Sequence, residues 1–135
     1  MSWVVDCSIA AAWCFEDETT TRTEALLDRL DGDPAVVPLH WPIEVTNVLR
    51  SAVRRGRLTE KASVQKAAAL MSLPVKYDSL THHLAFTTTY QIAQRHKLTS
   101  YDAAYLELAL RLGAELATDD RELQAAAKDA GVGVL

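Results

Sequence analysis

This 135-residue sequence has only two cysteines, no surplus of basic charge and no long hydrophobic run, and each of these features excludes a class of protein. The two cysteines, Cys7 and Cys14, show no Cys-x-x-Cys pattern and have no flanking histidine, which argues against a zinc site and favours a reducing compartment. No apolar run approaches the roughly 18 residues of a membrane span, and the amino terminus lacks a secretory signal. We therefore expect a cytoplasmic protein without a membrane segment.

The charge balance is slightly acidic, with 14 Lys and Arg against 18 Asp and Glu and a net charge of −4. This balance argues against a protein that holds nucleic acid by bulk charge alone, but not against an enzyme whose carboxylates bind metal ions that face phosphate. The hydrophobic fraction of 49% excludes an intrinsically disordered chain. At this length, residues 1–135 are expected to form one domain with its own core.

Turn signals divide the chain into short apolar strands and longer helices. Strands are predicted at 3–6, 35–38, 75–77, 115–118 and 132–135. Helices are predicted at 8–15, 20–30, 42–55, 81–97, 101–112 and 121–130, with one more between Thr59 and Pro74. The predicted N-caps are Ser8, Thr59 and Ser100. Alternating strands and helices predict an α/β protein with a mainly parallel sheet, covered by helices on both faces.

Acidic residues stand where these strands end or helices begin. Asp6 follows the first predicted strand, and Asp119 and Asp120 follow the fourth. Glu44 and Asp102 each lie in the first turn of a helix, where free N–H groups and the helix dipole favour an anion. Reactive groups in parallel sheets gather beyond the carboxyl ends of the strands. These acids are therefore predicted to converge if their strands are neighbours.

A cluster of bare carboxylates would be unfavourable, because like charges repel and an unpaired buried carboxylate is costly. A divalent cation resolves the conflict, since Mg²⁺ prefers oxygen ligands from a few carboxylates, water and substrate phosphate. Such an ion also polarises a phosphoryl oxygen and activates water. Each acid taken singly has an ordinary explanation as a turn or cap residue. The functional interpretation rests on the whole set.

Four segments of the sequence carry a family resemblance. They are Val4-Val5-Asp6-Cys7-Ser8, Trp41-Pro42-Ile43-Glu44-Val45-Thr46-Asn47-Val48-Leu49, Leu98-Thr99-Ser100-Tyr101-Asp102-Ala103-Ala104-Tyr105-Leu106 and Leu116-Ala117-Thr118-Asp119-Asp120. Together they resemble a PIN domain and, more narrowly, a VapC-type toxin of a type II toxin–antitoxin pair. The resemblance spans nearly the whole chain. It implies a single three-layer α/β/α domain with a mainly parallel central sheet and metal-dependent cleavage of RNA.

The resemblance also implies the site residues by their positions. The four acids expected to bind the metal and act in catalysis are Asp6, Glu44, Asp102 and Asp120. The family's Thr-x-Asp pattern selects Asp120, with Asp119 in the variable position, and which of these two faces the metal stays open. Three polar side chains are expected to support the cluster, namely Ser8, Asn47 and Thr118.

A mechanism and a set of partners follow from the same resemblance. The acids would hold Mg²⁺ or Mn²⁺, and a metal-activated water would attack a backbone phosphate of RNA, leaving 5′-phosphate and 3′-hydroxyl ends. The implied partners are an RNA substrate, a cognate VapB-like antitoxin and a second copy of the chain in a homodimer. The RNA target and the number of metal ions stay open.

Basic residues cluster around the end of the helix predicted at 42–55, namely Arg50, Arg54, Arg55 and Arg57. They are explained either as charges favoured at a helix carboxyl terminus or as a patch that contacts RNA phosphates. Two rival functions stay open: a PIN-fold binding module without nuclease activity, and a metal-dependent nuclease acting on DNA. A haloacid-dehalogenase-type phosphatase is disfavoured because Ser8 stands where its second Asp would be.

Overall fold

A computed structural model describes residues 2–135 and contains a four-stranded sheet. Its strands are β1 (Trp3–Val5), β2 (Ala35–Val37), β3 (Val75–Tyr77) and β4 (Glu115–Ala117). They run parallel in the order β3-β2-β1-β4, so the predicted parallel sheet is confirmed. The strand predicted at 132–135 is wrong. Gly131 turns the chain with a φ of 81°, and the segment then forms only one bridge, between Val134 and Leu116.

Helices cover the sheet on both faces, which gives the predicted three-layer α/β/α arrangement. They are α1 (Cys7–Cys14), α2 (Thr21–Arg29), α3 (Trp41–Arg54), α4 (Glu60–Met71), α5 (Thr81–Leu84), α6 (Tyr90–His96), α7 (Ser100–Leu112) and α8 (Arg121–Asp129), with a 3₁₀ turn at Glu16–Glu18. Helices α1 to α4 are linked by mutual contacts, while α6 and α8 pack against α7, which lies on β1 and β4. Within residues 2–135, none of these helices combines the length and apolarity of a bilayer-spanning segment.

The segment predicted as one helix at 81–97 is less regular than expected. Helices α5 and α6 are joined by a π-helical stretch, Ala85–Thr89, and Lys97 ends α6 in the left-handed conformation with a φ of 55°. Three consecutive β-branched threonines occupy 87–89. Because β-branched side chains crowd the preceding turn of an α-helix, they favour a local departure from regular geometry.

Two of the three predicted N-caps are wrong. Asp6 rather than Ser8 caps α1, because its carboxylate accepts a hydrogen bond from the Ile9 N–H. Thr99 rather than Ser100 caps α7. The capping residue is the last one outside the helix, and both helices begin earlier than their sequence pattern suggested. Thr59 caps α4 as predicted.

The core lies between the sheet and the two helical layers. Its largest fully buried side chains include Trp3, Ile9, Tyr105, Leu116 and Leu123. Each large apolar side chain of this kind contributes about 1.5–3 kcal/mol when it is removed from water. The core therefore fixes the strand ends from which the acidic residues emerge.

Gly113 ends α7 in the left-handed conformation, with a φ of 62° and no atom within 4 Å of an added Cβ. Since the left-handed region costs a non-glycine residue roughly 1–2 kcal/mol, Gly113→Ala is expected to lower the free energy of unfolding by about 1 kcal/mol in urea denaturation. Gly32→Ala is the matched control, because Gly32 also has open space around it but no positive φ. Equal losses in both variants would contradict this explanation.

Candidate active site

Asp6 meets the segment after β4 because β1 and β4 are parallel neighbours. Val5 pairs with Ala117, so Asp6 and Thr118 are the first residues beyond the paired strand ends. The Asp6 N–H donates to the Ala117 carbonyl at 3.1 Å. In the sheet, β2 and then β3 lie on one side of β1, and β4, which comes last in the chain, lies on the other side. Asp6 therefore lies at the topological switch point, where open parallel sheets form a binding crevice.

The Asp6 carboxylate is buried, with an exposed fraction of 3%, and both of its oxygens accept hydrogen bonds. Ser8 Oγ and the Ile9 N–H donate to Oδ1 at 2.6 and 3.2 Å. Thr118 Oγ1 donates to Oδ2 at 2.5 Å. Burial outweighs these bonds and raises the pKa of Asp6 to about 6. Ser8 and Thr118, the two hydroxyl residues expected to support the cluster, thus both contact its most buried acid.

Asp119 forms an ion pair with Arg22 of α2. The same guanidinium donates to the backbone carbonyl oxygens of Thr118, at 3.0 Å, and of Leu135. Arg22 therefore links Asp119, just after the end of β4, to helix α2. The Asp119 charge is compensated within the protein without any metal ion.

Asp120 begins α8 and belongs to a different set of contacts. Its carboxylate accepts a hydrogen bond from the Leu123 N–H at 2.9 Å, and its own N–H donates to Thr118 Oγ1 at 3.0 Å. Burial raises the pKa of Asp102, and the negative charges of Asp120 and Glu44 raise it further. Of the two consecutive acids, Asp120 is the one whose charge reaches the other members of the predicted cluster.

Glu44 is held by Tyr105 of α7 and by His40, the residue that precedes α3. Tyr105 of α7 donates its hydroxyl hydrogen to Glu44 Oε1 at 2.7 Å, and His40 Nε2 lies 3.0 Å from the same oxygen. Burial raises the pKa of Glu44, but the contacts with His40 and Tyr105 outweigh it and hold the pKa below its usual range. Glu44 is therefore ionised at neutral pH.

The four predicted acids form one electrostatic cluster at the carboxyl edge of the sheet. Asp102 contributes to the raised pKa of Asp6, while Asp120 and Glu44 act on Asp102. The Cys7 thiol lies among them: burial, followed by the charges of Glu44 and Asp6, raises its pKa to about 12. A thiol with that pKa is neutral and is not a nucleophile at physiological pH. The chemistry of this edge is that of carboxylate oxygens.

The donor set fits a hard divalent cation, because all four groups are carboxylates. Across residues 2–135, no three acidic, histidine or cysteine side chains are grouped closely enough to enclose an ion by themselves. Mg²⁺ is usually bound by one or two carboxylates together with water and substrate phosphate, so an open arrangement of acids suits it. The same open arrangement does not suit a structural metal site, in which protein ligands enclose the ion.

Comparison with known proteins decides the family. The family described as "PIN domain" matches residues 3–129. The chain belongs to the PIN-domain family. A relative named Ribonuclease VapC12, from Mycobacterium tuberculosis, is 34% identical over 106 residues, which cover 78% of each chain. This PIN domain is therefore of the VapC type.

Two solved structures share the PIN fold of this chain. One, from Pyrobaculum aerophilum, has a TM-score of 0.72 and 24% identity, and the match covers 99% of this chain and 90% of that one. The other is VapC20 of Mycobacterium tuberculosis, described as a sarcin–ricin loop cleaving toxin, with a TM-score of 0.66, 21% identity and coverages of 93% and 95%. Both likenesses support the three-layer fold.

Asn47, Arg50 and Arg54 of this PIN domain lie farther along α3 than Glu44, and Arg55 and Arg57 follow the end of that helix. Asn47 is exposed and makes no side-chain hydrogen bond within the part of the chain that the structure describes. Helix α3 spans 14 residues, or about 20 Å, with Glu44 in its first turn and Arg54 in its last. Asn47 as a supporting residue and the arginines as RNA contacts both stay predictions.

Two of the four arginines already have partners in the PIN domain. Arg50 pairs with Glu60, and Arg57 pairs with Asp17 and Glu18. The Arg57 guanidinium also lies over the ring of Phe15, 4.2 Å from its centroid. Arg54 and Arg55 are exposed. Of this cluster, Arg54 and Arg55 are therefore better candidates for phosphate contacts than Arg50 and Arg57.

His40 and Tyr105, which contact Glu44, were not among the residues predicted from the sequence for this site of the PIN domain. Their spacing from the predicted acids is the signal that could have identified them, because His40 precedes Glu44 by four positions and Tyr105 follows Asp102 by three. Residues three or four apart share a helix face. What the sequence did not show is that α3 and α7 face each other here, so that a tyrosine of one helix reaches a glutamate of the other.

Proposed function

We propose that this VapC-type PIN domain is a metal-dependent endoribonuclease that acts as a toxin in the cytoplasm. The observation that best supports it is the set of four carboxylates whose charges act on one another at this edge of the sheet, with the pKa of Asp6 raised to about 6 by burial. Acids with perturbed pKa values are typical of catalytic sites. The relative with 34% identity is itself named a ribonuclease.

The proposed ligands of Mg²⁺ or Mn²⁺ are Asp6, Glu44, Asp102 and Asp120. The cation would supply positive charge that stabilises the negative charge developing on the phosphate during cleavage. The chain's own contribution is to hold the acids in place before RNA binds. Ser8 and Thr118 fix both oxygens of the Asp6 carboxylate. Asp120 is fixed after the end of β4 because it is the N-cap of α8, where its carboxylate accepts a hydrogen bond from the Leu123 N–H.

The test is cleavage of total cellular RNA by the purified chain, freed of any bound partner, with Mg²⁺, Mn²⁺ or chelator. Discrete fragments with 5′-phosphate ends that disappear with chelator are expected. Cleavage of single-stranded DNA but not of RNA would replace the proposal with a deoxyribonuclease. A folded, metal-binding chain that cleaves neither would favour a binding module.

The paired variants Asp119→Asn and Asp120→Asn separate the two adjacent acids. Asp120→Asn removes a charge that acts on Asp102, so cleavage is expected to fall by about 10²-fold or more, since a metal-site charge contributes several kcal/mol to the transition state. Asp119→Asn breaks only the half-exposed pair with Arg22, and its cleavage rate is expected to stay within about threefold of the wild type. The opposite ranking would assign Asp119 to the site.

We propose two protein partners, a cognate VapB-like antitoxin and a second copy of the chain. Exposed apolar side chains support the existence of such contacts, since Ile43, Met71 and Phe86 have exposed fractions of 72%, 83% and 93%. An apolar groove with a volume of about 240 Å³ lies where α3 and α4 approach β3. It is lined mainly by Trp41, Pro42, Val45, Leu70, Met71 and Tyr77.

A further inference from the structure

The two contacts on Glu44 converge on one of its carboxylate oxygens. The Tyr105 hydroxyl donates to Oε1 at 2.7 Å, and His40 Nε2 lies 3.0 Å from that same oxygen. Within residues 2–135, Oε2 has no hydrogen-bond donor of its own. The carboxylate is therefore asymmetric: one oxygen is engaged by the protein and the other is available to a ligand.

The position of the hydrogen on His40 follows from its neighbours. Nε2 lies between Glu44 Oε1 and the backbone carbonyl oxygen of Tyr101, which is 3.1 Å away. Both neighbours are hydrogen-bond acceptors, so Nε2 carries the hydrogen in this arrangement. The positive end of the N–H dipole then faces both oxygens, which stabilises the ionised form of Glu44.

Both contacting side chains are fixed by the surrounding fold. Tyr105 is fully buried, and the His40 ring packs against it with centroids 5.0 Å apart. His40 immediately precedes Trp41, the first residue of α3, whose exposed fraction is 2%. Tyr105 lies one helical turn after Asp102 on α7. The contacts therefore join the two helices that carry Glu44 and Asp102.

From this geometry we infer that His40 and Tyr105 are positioning residues, which hold Glu44 Oε1 so that Oε2 is presented to the metal ion. The inference rests on the proposed function, because it assigns roles to residues that surround the same site. A ligand that is already oriented loses less conformational freedom when the ion binds, so the metal is bound more tightly. Hydrogen-bond partners of metal ligands typically contribute 10–100-fold to metal affinity or activity.

The alternative is that the contacts only join α3 to α7 and stabilise the fold. The two explanations differ in what they predict for metal binding measured without RNA. A purely structural role changes the unfolding temperature and leaves the Mn²⁺ affinity of the folded protein unchanged. A positioning role changes the affinity even where the protein stays folded.

The experiment measures the Mn²⁺ dissociation constant of the full chain by water-proton relaxation, together with kcat and KM for RNA. Tyr105→Phe keeps the ring and removes only the hydroxyl group. It is expected to weaken Mn²⁺ binding by about 10–100-fold and to lower kcat at fixed metal, while the KM for RNA is unchanged. Tyr90→Phe is the matched control, because Tyr90 is half-exposed on α6, and it is expected to match the wild type.

His40 gives an independent second arm, useful if Tyr105→Phe does not fold. His40→Ala is expected to weaken Mn²⁺ binding, and His40→Gln, which retains an N–H donor, to restore part of the loss. Glu44→Gln shows the effect of losing the ligand itself. Wild-type Mn²⁺ affinity in folded Tyr105→Phe and His40→Ala would overturn the inference, and so would wild-type affinity in Glu44→Gln.

Failure of the proposed function would be seen separately. A wild-type chain that binds Mn²⁺ but cleaves no RNA contradicts the ribonuclease. In that case the Mn²⁺ affinities of the variants still decide whether His40 and Tyr105 position Glu44.

Discussion

Asp6→Asn is expected to reduce RNA cleavage by about 10³-fold while the protein stays folded. The amide can still accept the hydrogen bonds that the Ser8 hydroxyl and the Ile9 N–H donate to Oδ1, so the start of α1 is preserved. What is lost is one negative charge of the proposed metal-binding set. Since a bound metal ion contributes several kcal/mol of charge stabilisation in the transition state, losing an anionic ligand has an effect of this order.

The matched control for this measurement is Asp28→Asn, because Asp28 is exposed on α2 and plays no part in the cluster. Cleavage is followed with the same RNA, at the same metal concentration and with circular dichroism on each variant. Asp28→Asn should cleave at the wild-type rate. Wild-type cleavage by Asp6→Asn would remove Asp6 from the site and, with it, the central acid of the proposed mechanism.

The second large effect expected at Asp6 is on stability. Its pKa is about 6 in the folded protein and 3.8 in the unfolded chain. Below about pH 4 both states hold the proton, and Asp6 then has no effect. Between about pH 4 and 6 the unfolded chain releases the proton while the folded protein retains it, so stability falls as the pH rises. Above pH 6 the ionised Asp6 lowers the free energy of unfolding by its full amount, about 3 kcal/mol.

The measurement compares the wild type with Asp6→Asn in urea denaturation, at several pH values and with chelator present. Between pH 4 and pH 7 the wild type should lose about 3 kcal/mol of unfolding free energy relative to Asp6→Asn. Adding Mn²⁺ at pH 7 should reduce that difference, because the ion binds the folded wild type preferentially. A difference that does not change with pH would show that Asp6 has an ordinary pKa.

The sequence was sufficient to predict the general placement of Asp6 and Asp120. An acid that follows a short apolar strand emerges at the carboxyl edge of a parallel sheet, and the pairing of Val5 with Ala117 brings the two strand ends together as expected. This inference depends only on local pattern and strand order. For that reason the sheet, the helical layers and the strand-end acids could all be predicted.

The contact that distinguishes Asp119 from Asp120 could not be predicted in the same way. It involves Arg22, which lies 97 positions before Asp119 in the chain and meets it only when α2 packs near the end of β4. The same limit applies to Tyr105, whose hydroxyl reaches Glu44 across 61 positions. Contacts of this kind are set by how the helices pack on the sheet, and helical periodicity does not encode that packing.

Asp6 and Asp120 each begin a helix with the same carboxylate that is proposed to serve the metal site. Asn and Asp are about equally good N-caps, so exchanging one for the other spares the helix. Asp and Asn codons also differ by a single base. In a cell that makes the proposed toxin without its proposed antitoxin, the surviving mutants should therefore include full-length, folded chains with Asn at position 6 or 120. The capping role would thus give this chain a short genetic route from the proposed enzyme to an inactive protein with the same fold.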